Sequence, residues 1–198
     1  MDRTGRDLRT TLLEATARVV AESGVDAVSI RALARDAGVS HAAHRHHFAS
    51  RTGLLTALAA EGHRLLGAAL EAAAATSFLD VGVAYVRFAH EHPGHFAVMF
   101  APGILDESDA DLAAARGRTF AVLQAGVDAM AAEGRLDDAQ AAVVAAWSLV
   151  HGLATLAATG NLTRAGLVGT TDAAALADLA ARAAGMLYGS PSGGTSHA

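Results

Sequence analysis

Between residues 40 and 47 the chain reads Ser40-His41-Ala42-Ala43-His44-Arg45-His46-His47, with one arginine, four histidines and no acid. Small and hydrogen-bonding side chains without negative charge suit contact with a polyanion, because phosphates are neutralised by cations and base edges are read by hydrogen bonds. Just upstream, Ser29 offers the hydroxyl of a helix N-cap. Ile30, Leu33, Ala34 and Ala37 then repeat at helical spacing and give one apolar face. Gly38 falls where that helix must end, since glycine tolerates the left-handed conformation found beyond a C-terminus. Ser40 can cap a second helix. Two short helices joined by a turn of about three residues that contains Gly form a helix-turn-helix. Ser40, His41, Ala42 and His44 are then expected to face base edges in the major groove. Ser29, Arg31, Arg45, His46 and Arg51 are expected mostly to hold phosphates, with Arg31 also in reach of a guanine. His47 packs inward in one reading and faces DNA in the other.

Two further groupings offer chemistry. His90-Glu91-His92-Pro93-Gly94-His95 contains ligand types that suit zinc or nickel. Pro93 breaks the helix between them, however, so His90, His92 and His95 need not converge; ordinary surface or pocket histidines are the competing reading, and no metal is assigned. Trp147 and His151, one helical turn apart, combine with Phe96, Met99, Phe100, Phe120 and Leu123 to give the composition of an apolar small-molecule pocket with a polar group. The competing reading is a core histidine satisfied by a neighbouring carbonyl. No nucleophile elbow, phosphate loop, carboxylate pair or dinucleotide fingerprint occurs, so neither an enzyme nor a cofactor is expected.

The elements that must position these groups follow from apolar spacing and breakers. Leu8, Leu12, Ala15 and Val19 predict a helix over 7–23 that Gly24 ends, packed across the helix-turn-helix because two short helices cannot bury a core alone. Arg3, Arg6 and Arg9 at its start reach a phosphate in one reading and form a solvated arm in the other. Ser50 caps a longer helix to about residue 75, with Leu54, Leu58 and Leu65 on one face and Leu55, Leu66 and Leu70 nearby; Arg51 lies in its first turn, beside free N–H groups suited to a phosphate. Further helices are predicted over 77–91 (Phe78, Val81, Tyr85, Phe88), from Pro93 to 100, and over 109–133 (Phe120, Leu123, Val127, Met130). Two more span 137–159 and 171–188. The Gly/Ser-rich residues 189–198 predict a disordered tail.

The stretch Ser29-Ile-Arg-Ala-Leu-Ala…Ala-Gly-Val-Ser40, followed by His46-His-Phe48-Ala-Ser-Arg51…Leu54-Leu55, resembles the DNA-binding domain of TetR-type transcriptional repressors without a gap over residues 8–58. The Trp147…His151-Gly152 arrangement is similar to the C-terminal domain of one subgroup of that family. The resemblance implies an all-α fold of about nine helices: a three-helix helix-turn-helix domain (1–52), then a larger helical ligand-binding and dimerisation bundle (53–188). It also implies a homodimeric regulator on a palindromic operator, released by a small-molecule effector. The family has Tyr where Arg45 stands and Lys where Arg51 stands, so each arginine would take over a phosphate contact; His44 replaces an apolar residue or Pro. Those departures sustain an alternative, a helical small-molecule- or metal-binding protein whose helix-turn-helix has lost sequence-specific DNA binding.

Charge placement fits the first reading. Residues 1–60 hold eight arginines and six acids, a balance of +2, whereas residues 61–198 hold seven arginines and fourteen acids, a balance of −7. An acidic chain with its positive charge at one end can bind DNA through that end. Cysteine is absent, which removes disulfides and thiolate metal sites. The first nine residues are polar and lack a signal-peptide pattern, and a cytoplasmic protein is expected. Residues 139–159 are apolar enough to be read as a membrane span, but Gln140, Ser148, His151 and Thr155 favour a packed helix. Ala141, Ala145, Ser148, Gly152, Thr155 and Thr159 form a stripe of small residues there. The stripe is expected to make a homodimer seam with Leu176, Leu179, Ala183 and Leu187 of the last helix, intrachain packing being the competing reading.

Overall fold

The structure, a computed structural model, describes residues 3–36 and 48–188, with side chains from 8 to 35 and from 48 to 186. These residues form nine α-helices and no strand. They are α1 Arg3–Ser23, α2 Ile30–Asp36, α3 Arg51–Ala74, α4 Phe78–Glu91, α5 Pro93–Met99, α6 Ala110–Ala132, α7 Ala139–Ala158, α8 Asn161–Arg164 and α9 Ala173–Tyr188. The fold is all-α, as the sequence predicts. The Gly38 turn, the second helix of the helix-turn-helix and the C-terminal tail lie outside the described residues.

Helix starts are written in short polar side chains. Ser29 Oγ accepts from Ala32 N at 3.4 Å, Ser50 Oγ from Gly53 N at 3.0 Å, and Asp138 Oδ1 from Ala141 N at 2.9 Å. Each satisfies one of the N–H groups that a first turn leaves without a helical partner. Ser77 and Asp80 close a reciprocal cap, with Ser77 Oγ accepting from Asp80 N at 3.1 Å and donating to Asp80 Oδ2 at 2.6 Å. Gly24 ends α1 at φ 81°, a conformation costly for a residue with a Cβ. The short α8 follows Gly160 without an apolar repeat, and no sequence pattern announced it.

The helices pack as two compact units. The first comprises Met1–Ala68 with Glu91–Phe120, and the second Ala69–His90 with Ala121–Ala198. In the first, Leu12, Leu13, Thr16 and Val20 of α1, Leu33 and Ala34 of α2, Phe48, and Leu54, Leu55, Leu58 and Leu66 of α3 are buried. The buried stripe of α1 is therefore rotated from the predicted one: Leu8, Ala15 and Val19 are only half-buried. Thr16 can sit in the core because its hydroxyl donates to Leu12 O at 2.6 Å, which removes the cost of an unpaired polar group. Leu65 is exposed, contrary to its predicted place on the buried face of α3; Gly62, His63, Leu66 and Gly67 form that face.

Helix α5 lies against α1 at backbone distance. A Cβ on Gly94 would fall 2.0 Å from the carbonyl oxygen of Ala17, so only glycine permits this approach. In the second unit Val127, Met130 and Ala142 form a core against which Phe78, Leu123, Leu136 and Val143 pack. Val81, Tyr85, Val86 and Phe88 of α4, Val150 and Ala154 of α7, and Leu176, Ala180 and Ala184 of α9 are buried as well.

Candidate nucleic-acid interface and effector-side residues

Of the residues expected to meet DNA, Ser40, His41, Ala42, His44, Arg45 and His46 lie outside the described residues, as does His47. Ser29 caps α2, and Arg31 is exposed in the first turn of that helix. Arg51 has partners within the chain. Its Nη2 donates to Val25 O at 2.7 Å and its Nε to Val28 O at 3.2 Å, with Asp26 Oδ1 3.7 Å away. The guanidinium fork thus fastens the start of α3 to the 3-10 turn Val25–Ala27 that leads into α2. Arginine suits this task because its donors diverge in a fixed plane. No local pattern in the sequence signals these carbonyl partners. Arg9, expected on an arm or a phosphate, has its guanidinium 5.6 Å from the centroid of the Phe48 ring, where stem and charge both find contact. The side chains of Arg3 and Arg6 lie outside those described.

The residues expected to line a small-molecule pocket fall into both units. Phe96 and Met99 are buried in the first unit, and the Phe96 and Phe100 rings meet at 5.2 Å. His63, absent from the sequence-derived set, lies beside them with its ring centroid 6.0 Å from that of Phe100. It is 3% exposed, and neither ring nitrogen has a hydrogen-bond partner among the described residues. Burial, reinforced by the nearby Arg116 charge, lowers its pKa to about 4. Phe120 also belongs to the first unit and is 40% exposed.

Leu123, Trp147 and His151 belong to the second unit. Leu123 packs on the Val127–Met130 core. His151 Nδ1 is 2.9 Å from Tyr85 Oη, and the Trp147 and His151 rings lie 5.9 Å apart. Burial lowers the His151 pKa and raises that of the Tyr85 phenol. In the sequence Tyr85 reads only as a core residue; its hydroxyl stands where the competing reading of His151 placed a neighbouring carbonyl.

Two histidines of the run around Pro93 stay together, the His92 and His95 rings meeting edge to face at 5.8 Å. Helix α4 ends at Glu91, just after His90, and α5 carries His95, whose Nε2 is 3.1 Å from Glu61 Oε2. That hydrogen bond is the main cause of the lowered Glu61 pKa. No group of three metal-ligating side chains occurs among the described residues.

Residues 12–58 match the family described as bacterial regulatory proteins of the tetR family, and residues 78–184 match the tetracyclin repressor-like C-terminal domain. The second match spans more than half of the chain and the first covers the whole helix-turn-helix. The chain belongs to the TetR family. A protein of unknown function from Rhodococcus sp. RHA1 is similar at 35% identity and TM-score 0.69, covering 88% of this chain and 94% of that one. The TetR family transcriptional regulator PfmR from Thermus thermophilus is similar at 25% identity and TM-score 0.65, over 86% and 97% of the two chains. A TetR-family transcriptional regulator from Pectobacterium atrosepticum shares the fold, at 21% identity, TM-score 0.63 and 94% and 95% coverage. No curated protein matches the chain. The protein is thus a TetR-type transcriptional regulator with a DNA-binding helix-turn-helix.

Proposed function

We propose that this TetR-type regulator is a homodimeric repressor that a small apolar ligand releases from a palindromic operator. The DNA-reading part is residues 1–52, and residues 53–188 bind the ligand and dimerise. Ser40, His41, Ala42 and His44 read bases; Ser29, Arg31, Arg45 and His46 hold phosphates. Arg51 joins them as a positioning residue, given its bonds to Val25 and Val28. Within the first unit the ligand site draws on Phe96, Met99 and Phe100.

The observation that carries the dimer is the outer face of α7. Ala141, Ala145, Ser148, Thr155 and Thr159 are exposed, and with them Val144 at 58% and Leu156 at 43%. A Cβ on Gly152 would meet nothing within 4 Å. By length and composition α7 is apolar enough to cross a membrane, but small residues of this kind let a second helix approach closely, and the family membership favours a second copy. Leu176 drops out of the expected seam because it is buried within its own chain at 2% exposure. Leu179 and Ala183 are half-buried, and the side chain of Leu187 lies outside those described.

A dimer is required physically, since one recognition helix makes few contacts while two half-sites combine theirs. A ligand that favours a dimer with its recognition helices wrongly spaced for about one DNA turn lowers DNA affinity by linkage. Arg45→Ala should weaken binding to all sequences and reduce the salt slope, whereas His44→Ala should change base preference. Equal behaviour across an operator panel contradicts that division of roles. Hydroxyl-radical footprinting of the intergenic DNA beside the protein's own gene tests the whole reading. Two protected half-sites about 10 base pairs apart, or a multiple of that, are expected; a single protected half-site, or uniform protection, rejects it.

A further inference from the structure

We propose that His63 is the hydrogen-bonding anchor of the effector site, and that the effector is an uncharged, mainly apolar molecule presenting one hydroxyl or carbonyl. The proposal rests on the reading above, in which a ligand controls the protein.

The ring of His63 is buried, and both its nitrogens are without a partner among the described residues. A buried polar atom left unsatisfied is costly, and native chains retain one chiefly where something uses it. Leucine or phenylalanine would fill this place without that cost. The polar side chain beside it does not help the ring: the Thr119 hydroxyl is directed to His63 O at 3.0 Å and Ala115 O at 3.2 Å. Those bonds anchor the backbone of His63 and leave the imidazole to other partners.

The surroundings decide the ligand class. Phe100 meets the imidazole edge-on, Phe96 meets Phe100, and Met99 lies where a Cβ on Gly62 would be, its Sδ 2.6 Å from that point. Aromatic walls favour an apolar body, and the unbranched thioether of Met99 can rearrange to admit one. An anion is disfavoured. The cation nearby, Arg116, is already bound to Glu107 Oε2 at 2.7 Å, and burial keeps the ring neutral at physiological pH. A neutral imidazole offers one N–H and one lone pair, which match a hydroxyl, or a carbonyl on the N–H alone.

The site also has a path to the DNA-reading part within its own unit. Helix α3 runs from Arg51, fastened to Val25 and Val28, to His63 about 18 Å along the axis. A displacement of α3 at His63 reaches the turn that supports α2.

Imidazole 15N spectra of the full-length protein test this, with the His63 signals assigned by their loss in His63→Leu. Benzyl alcohol, acetophenone, toluene and benzoate are the probes. Benzyl alcohol and acetophenone should move the His63 ring signals and bind at least about tenfold tighter than toluene and benzoate. In His63→Leu the preference over toluene should vanish. The proposal is overturned if no probe moves the ring signals, if toluene moves them equally, or if His63→Leu keeps the preference. Should that variant not fold, His63→Phe supplies the assignment and the wild-type spectra decide. Anisotropy with intergenic DNA on the same samples separates the two ideas. Loss of specific DNA binding with the His63 response intact rejects the regulator mechanism alone, whereas DNA binding without a His63 response rejects the anchor alone.

Discussion

At Gly94 the first unit sets helix backbone on helix backbone, while at Gly126 the second unit sets a helix on a phenyl ring. A Cβ on Gly94 would lie 2.0 Å from Ala17 O, and one on Gly126 would lie 2.1 Å from Cδ2 of Phe78. The distances are alike but the obstacles differ: a carbonyl in the middle of α1 cannot move without the helix, whereas a side chain can turn. Their histidines contrast as well. His63 is buried without a hydrogen-bond partner among the described residues, and His151 is held by Tyr85 at 2.9 Å. The first unit therefore has a backbone contact without give at Gly94 and, among the described residues, one buried histidine with its ring unmet, while the second has a side-chain contact that can turn and a histidine with its partner.

The largest test of that contrast is a pair of substitutions. Alanine has a helix propensity about 1 kcal/mol better than glycine, yet Gly94→Ala should destabilise the protein by more than about 3 kcal/mol, since overpacking against backbone has no cheap relief. Gly126→Ala should cost about 1–3 kcal/mol. Urea unfolding of both variants measures this, and equal losses would remove the claimed difference in rigidity.

Next in size is a pH effect. The folded pKa of His63, about 4, lies below the ordinary 6.5. Between those values the unfolded chain binds a proton that the folded chain refuses, so stability falls as pH drops from about 6.5 towards 4 and is unaffected by this group above that window. His63→Leu should flatten that part of the pH–stability curve, by up to a few kcal/mol at its acid end. An unchanged slope in the variant would show that other groups carry it. His151, also lowered by burial, contributes with the same sign and is the reason to measure the difference between proteins.

Although α1 begins at Arg3, four residues before the predicted start, the starts of α2 and α3 were legible because caps are local: Ser29 and Ser50 each act within three residues. So was the helix-turn-helix, whose pattern depends on close neighbours in sequence. Long-range reasons were not. Nothing near Gly94 in sequence reveals that Ala17 will press on it, and the rotation of α1 towards Thr16 follows from a hydroxyl that an apolar count ignores. His63 was missed for a similar cause: with Gly62 it breaks the leucine pattern of α3, and only packing shows that they, and not Leu65, face inward. The division of the expected pocket residues between the two units was not legible, because it depends on a chain that returns at residue 91 to pack with its own N-terminal part.

Two smaller effects belong to the same contrast. Tyr85→Phe should cost about 1 kcal/mol, the net value of one hydrogen bond, and should shift the ring signals of His151 while leaving those of His63 in place. Coupled shifts at both histidines would mean that the units do not act separately. Arg51→Lys keeps the charge but replaces a planar fork with a point donor. It should speed amide exchange in residues 25–28, at a cost of about 1 kcal/mol or less, with the salt dependence of DNA binding unchanged. In Arg51→Gln, which removes the charge, a flatter salt dependence would assign Arg51 a direct phosphate contact.

A TetR-type regulator binds DNA through its N-terminal helices, and one titration tests whether this chain reads a specific site. Fluorescence anisotropy of labelled intergenic DNA from beside the protein's own gene, at two salt concentrations, should show binding at least about a thousandfold tighter than to scrambled DNA and weakening steeply with salt. Affinity no better than for scrambled DNA, across all of that intergenic sequence, would rule out such reading.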